Sequence, residues 1–250
     1  MPRPGCSTSA AAPSFGRRLA AVALAASVLG GTAACSDGGT SPDRAASVSV
    51  YITTAPIAAD SGSASLVDGT HRLTLDRVAL VVSEVGLAAG TGGQSLEDDP
   101  FLLDVPVGGG VRSLLAAAVA PGRYDGVRIG LHAPDPDDPA DQAFLAAHPD
   151  LAGASVRVEG SWNGEPFTWT RALDEVRVVA LEPPLDVWAR TANVTLLLDV
   201  GSWFRAADGS LIDPATAMGD APMAAVVESR IRASFAALVD PDADGTASDD

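Results

Sequence analysis

The sequence predicts a mainly β chain, an antiparallel β-sandwich with a short C-terminal helix, spanning residues 47–239. Three observations carry this expectation. Short segments alternate apolar and polar residues with a period of two, as half-buried strands do; Val48, Val50 and Ile52 between Ser47, Ser49 and Tyr51 form the first. Turns rich in Gly, Pro, Asn and Asp separate these segments. Only near the C-terminus does a long segment change to spacings of three and four.

Taken in order, a Gly/Ser/Ala/Asp-rich loop at 55–70 follows the first strand. A long alternation then runs from Leu73 through Leu75, Val78, Leu80 and Val82 to Leu87. Residues 88–100 read as a loop, and Phe101 to Val105 as a short strand closed by Pro106 and the glycines 108–110. Pro121-Gly122 makes a turn into a strand carrying Tyr124, Val127, Ile129 and Leu131, with a bulge at Asp125-Gly126. The acidic, Pro-rich stretch 133–153 predicts one short helix at 140–147, capped by Asp138 before Pro139. Val156, Val158 and Trp162 lead into Asn163-Gly164, the strongest hairpin signal in the chain, and Phe167 to Thr170 return. Further strands are expected at 176–181, 185–188 and 194–200. Met223, Val227, Ile231, Phe235 and Leu238 then share one face of a helix that Asp220 and Pro222 start; a strand from Val226 to Leu238 on the edge of the sheet is the alternative, with weaker period-two support.

Residues 47–132 carry three motifs: Leu-Asp-Arg-Val-Ala-Leu-Val-Val at 75–82, Phe-Leu-Leu-Asp-Val at 101–105, and Pro-Gly-Arg-Tyr at 121–124 leading into Val-Arg-Ile-Gly-Leu at 127–131. In these the chain resembles a family of uncharacterised bacterial lipoproteins with a prealbumin-like or carbohydrate-binding-like β-sandwich domain of unknown function. The resemblance implies a prealbumin- or Ig-like sandwich and brings no activity with it.

The N-terminus reads as an address. Arg17-Arg18 precede the apolar run Leu19–Leu29, which is too short to span a bilayer and suits a signal-peptide core. Small residues then lead to Cys35, as in the lipobox of bacterial lipoproteins, with Thr32 where that motif usually has Leu. Residues 1–34 are thus expected to be a lipoprotein signal peptide, Cys35 the lipidated first residue of the mature chain, and residues 35–46 a flexible tether. An ordinary signal peptide cleaved after Ala33 or Ala34 is the alternative. Of the two cysteines, Cys6 would leave with the signal, and acylation accounts for a single remaining thiol in an exported chain. Ser36 is compatible with sorting to the outer membrane of a two-membrane bacterium.

Charge narrows the partners. After residue 34 the chain carries 13 Arg and 32 acidic residues, a formal −19. Such a body repels phosphate backbones and anionic lipid surfaces, so nucleic-acid binding is disfavoured and membrane attachment must be covalent or hydrophobic.

The most specific chemical motif is Asp240-Pro-Asp242-Ala-Asp244-Gly245-Thr246. Asp-x-Asp-x-Asp-Gly opens calcium loops: carboxylates at every second position turn toward a hard cation, the glycine allows the sharp turn, and Thr246 offers its carbonyl. No Glu follows at the usual bidentate position, leaving Asp249, Asp250 or the terminal carboxylate as substitutes, so weak calcium binding is expected, and a solvated acidic tail over 240–250 is the alternative. A second acidic run, Asp135 to Asp141, lacks a glycine turn and reads as a solvated loop. His71, His132 and His148 are scattered without metal-ligand spacing. Trp162 and Trp169 flank the Asn-Gly turn, where exposed indoles would stack on sugars or press into partners and buried ones would fill an aromatic-poor core.

No Gly-x-Ser-x-Gly, His-Glu-x-x-His or phosphate-loop motif occurs. The expected function is therefore a non-enzymatic, lipid-anchored envelope module that binds a surface protein or other ligand. A carbohydrate-binding module using tryptophans, and an envelope hydrolase with a dispersed carboxylate site, are the alternatives.

Overall fold

The computed structural model describes residues 46–56, 59–60, 62–188 and 190–246. The expected signal peptide, Cys35 and all but the last residue of the tether lie outside the described residues. Among the described residues no helix is long and apolar enough to cross a membrane.

Thirteen strands form one connected sheet: β1 (Ala46–Thr54), β2 (Ala59–Asp60), β3 (Ser63–Val67), β4 (Arg72–Ala89), β5 (Gly92–Glu97), β6 (Phe101–Val105), β7 (Arg112–Val119), β8 (Gly122–Leu131), β9 (Val156–Trp162), β10 (Glu165–Arg171), β11 (Glu175–Val187), β12 (Thr191–Leu198) and β13 (Phe235–Val239). The helices are α1 (Gln142–Ala147), α2 (Pro214–Gly219) and α3 (Ala221–Ala233). The main path of the sheet runs β10-β9-β4-β8-β11-β13-β12-β1-β7. The expectation of a purely antiparallel arrangement is corrected here. β1 runs parallel to β12 over eight residue pairs, and β11 meets β13 in parallel at the single pair Leu181–Ala237. The sheet is therefore mixed, and it curls. At its far edge Gln94 of β5 donates from Nε2 to the Ala118 carbonyl (3.0 Å) and accepts from the Ala120 amide (2.8 Å), so a side chain joins β5 to the end of β7.

Alternation sorts the residues as predicted in β1, where Val48, Val50 and Ile52 are fully buried and Ser47, Ser49 and Tyr51 half-buried. β4 departs from it. Val78 to Val82 are all fully buried, because this stretch is covered on both faces. Inward residues join the main core, while Val81 faces Phe144 of α1 and Leu151 on the other side. Burying each such aliphatic side chain contributes about 1.5–3 kcal/mol. β4 also changes partners along its length, pairing with β9 over Leu73–Leu80 and then with β8 over Val82–Ala88. At the first of these contacts Gly160 faces Leu75 so closely that a Cβ would stand 1.9 Å from the Thr74 carbonyl oxygen. No side chain fits there.

The Asn163-Gly164 hairpin forms as expected, both residues at positive φ (52° and 92°) and Trp162 paired with Glu165. Tyr124 pins the Pro121-Gly122 turn by donating its hydroxyl proton to the Ala120 carbonyl (2.7 Å). Three expectations fail locally. The loops read at 55–70 and 88–100 contain β2, β3 and β5; the alternation in β3 is short and rests on Ala64 and Leu66, and β5 opens on two glycines with no buried residue. The cap expected from Asp138 is absent: α1 starts at Gln142, and the Asp138 carboxylate instead accepts the Ala140 amide (2.9 Å) in the preceding turn. α3 starts on Asp220, whose carboxylate accepts the Met223 amide, but ends at Ala233. Phe235 and Leu238 pass into β13, where five backbone pairs with β12 replace the last turns of the predicted helix.

Candidate functional site

β13 delivers the chain into the 240–246 loop. Asp240 is fully buried at the strand end, and its amide donates to the Asn193 carbonyl (3.2 Å). Its carboxylate accepts from the Thr195 hydroxyl (2.6 Å), the Gly245 amide (2.8 Å) and the Asp244 amide (3.1 Å). The loop thus closes back on the residue that starts it. Closure requires Ala243 and Gly245 at positive φ (59° and 88°), and Gly245 packs so tightly that a Cβ would lie 2.8 Å from Val111 Cγ2.

Asp240, Asp242 and Asp244 each bring one carboxylate oxygen to within 4.8 Å of the others. Oxygens bound to one calcium ion at 2.3–2.6 Å can stand at most about 5 Å apart, so this convergence fits one hard cation. Asp242 and Asp244 are exposed, while Asp240 is a buried structural hub as well as a candidate ligand. Burial alone would push the Asp240 carboxyl up. The Thr195 hydroxyl and the two loop amides outweigh it, so its affinity for a proton falls below the ordinary carboxylate range. Asp242 moves the other way, because its carboxyl hydrogen-bonds with Asp240 and faces like charge from Asp244 and Asp240. Thr246 turns its amide (2.8 Å) and hydroxyl (2.7 Å) to the Asp244 carboxylate. Asp249 and Asp250 lie outside the described residues.

The aromatic expectations divide. Trp169 is fully buried and meets Phe204 edge-on (centroids 5.4 Å apart, 84° between planes), which removes it as a ligand platform. It also sits opposite Val158, four residues along β9 from Trp162, or about 13 Å at strand rise, so the hairpin does not pair the two indoles. Trp162 is half-buried and stacks on His71 (5.0 Å, 17°). Trp203 is buried, and Trp188, after β11, is 61% exposed. Trp188 was legible as the outward member of the alternation Leu185-Asp186-Val187-Trp188, a pattern that the expected ligand residues passed over.

Outside the C-terminal loop, the acidic run at 135–141 builds turns: Asp135 accepts the Asp137 amide, and Asp141 accepts the Asp135 amide (2.7 Å). The buried Asp141 carboxylate also holds His132 Nε2 (2.8 Å) while Asp174 holds Nδ1 (3.1 Å), a bracket that ties the 133–153 segment to the end of β8. Burial opposes the imidazolium, but the two carboxylates prevail and raise the His132 pKa above the ordinary histidine value. His71 and His148 lie on other elements. Among the described residues, Asp240, Asp242 and Asp244 form the one group of three or more such side chains close enough to share a metal ion. No protein-family model, curated protein or solved structure matches the chain.

Proposed function

We propose that this chain is an exported protein held to the cell envelope by acyl groups on Cys35, at the outer membrane where the bacterium has two. Its β domain is a non-enzymatic binding module, and its 240–246 loop takes a calcium ion weakly. The observation that supports the cation part most strongly is the convergence of Asp240, Asp242 and Asp244, within 4.8 Å, on a loop whose sequence is Asp-x-Asp-x-Asp-Gly. The excess of acidic residues favours cations and disfavours nucleic acid. As part of the same reading, β7-β1-β12-β13 and β10-β9-β4-β8-β11 are two layers of a prealbumin-like sandwich; they feed one core and meet along the main path of the sheet at the Leu181–Ala237 pair.

With two loop carboxylates exposed, affinity belongs in the ~10⁻⁴–10⁻³ M range of extracellular calcium modules. Calcium at ten times its dissociation constant then stabilises the fold by about 1.4 kcal/mol. For a domain of this size that raises the melting temperature by roughly 3–5 °C over the protein in chelator. Asp242→Ala is expected to abolish the rise without lowering the melting temperature in chelator. Equal melting temperatures in calcium and chelator for the unaltered protein would overturn the cation reading.

A further inference from the structure

The two portions of the sheet separate beyond the Leu181–Ala237 pair. β11 loops out four residues, 181–184, against Asp125 alone before Leu185 resumes pairing with Tyr124 of β8, whereas β13 follows β12 to the Val194–Val239 pair. The divergence leaves a cavity of about 290 Å³ between them, near the lower end of the ~300–1,000 Å³ of small-molecule sites. Pro184, Val239 and Pro241 give it apolar walls, and Asp186, Arg190 and Asn193 give it polar ones. Two residues after the wall residue Asp186, and exposed like it while Val187 between them is buried, stands Trp188, the most exposed of the large hydrophobic side chains among the described residues. An indole left 61% in water, two residues from a wall of a mixed apolar and polar cavity, suits a ligand of the same mixed character.

We propose that this cleft binds a neutral sugar ring. One face of a pyranose is apolar and stacks on an indole, while its hydroxyls both donate and accept. Asp186 supplies an acceptor and Arg190 supplies donors. Their opposite charges cancel locally, and the anionic body repels an acidic sugar. The Asp186 carboxylate is committed only loosely, 3.8 Å from Arg123 with both side chains well exposed.

The proposal deepens the binding-module reading by naming its ligand; of the cation loop it uses Pro241 as a wall and none of the three carboxylates. Titration calorimetry of the full chain in a zwitterionic detergent, with glucose, galactose, mannose and N-acetylglucosamine as probes, tests it. At least one sugar is expected to bind saturably in the millimolar range. Trp188→Ala should remove that binding, Asp186→Ala should weaken it about tenfold or more, and Trp162→Ala should leave it unchanged. Absence of saturable heat for all four sugars, or binding that survives Trp188→Ala, overturns the proposal. A calcium-dependent melting temperature that persists in the same preparation separates that failure from failure of the cation reading.

Discussion

Trp169→Ala is expected to destabilise the domain by about 3–5 kcal/mol, lowering its melting temperature by roughly 10 °C. Trp169 and Trp203 are the largest side chains that are wholly enclosed among the described residues, and the core is chiefly Val and Leu with few aromatic residues to close a hole of that size. The rigid edge-on contact with Phe204 limits collapse into the cavity. Trp169→Phe should cost well under half as much. The indole N–H is buried with no acceptor among the described residues, so phenylalanine removes an unsatisfied donor along with some volume. Chemical denaturation of the two variants checks both values. A Trp169→Ala protein as stable as the parent would contradict the burial of this residue and reopen it as a ligand platform.

Asp240→Ala is expected to cost about 2–3 kcal/mol in chelator, before any cation is added. It strands the Thr195 hydroxyl and the loop amides of Asp244 and Gly245, all of which the Asp240 carboxylate now accepts. Asp242→Ala removes an exposed carboxylate crowded by two others and should cost nothing under the same conditions. The pair thus separates the structural role of the loop from its cation chemistry. The sign with pH follows from the depressed Asp240 pKa. The carboxylate contributes its stability above the unfolded-state value, and that contribution is lost as pH falls through the lower folded value. The gap between parent and Asp240→Ala should therefore narrow in acid. A constant gap down to strongly acidic pH would contradict the assigned hydrogen bonds.

The elements that were legible from sequence are those in which local chemistry is decisive. Ser47 to Ile52 alternate cleanly, and Asn163-Gly164 leaves few choices other than a tight hairpin. Alternation says which face is buried and nothing about the neighbour across the ladder, so the parallel partnership of β1 with β12 was hidden. Spacings of three and four through Phe235 and Leu238 describe a helix face, yet pairing with β12 satisfies the same residues as a strand, and tertiary contact overrides the local preference. β5 is built from Gly-Gly-Gln-Ser-Leu-Glu and owes its existence to β4 alongside it. At the site, the Asp-x-Asp-x-Asp-Gly spacing foretold that three carboxylates would converge. It did not foretell that Asp240 would be buried, because Thr195, its partner, lies 45 residues earlier in the sequence. Sorting four tryptophans into buried Trp169 and Trp203, half-buried Trp162 and exposed Trp188 needed the sheet register.

The account rests on the proposal that the chain is carried out of the cytoplasm and fastened by Cys35. Mass spectrometry of the N-terminal peptide from native membranes tests this most directly. The predicted result is a mature chain that begins at Cys35 and bears a diacylglyceryl thioether, with or without a further acyl group on its amine. A mature chain that lacks Cys35, or carries it with a free thiol, would contradict it.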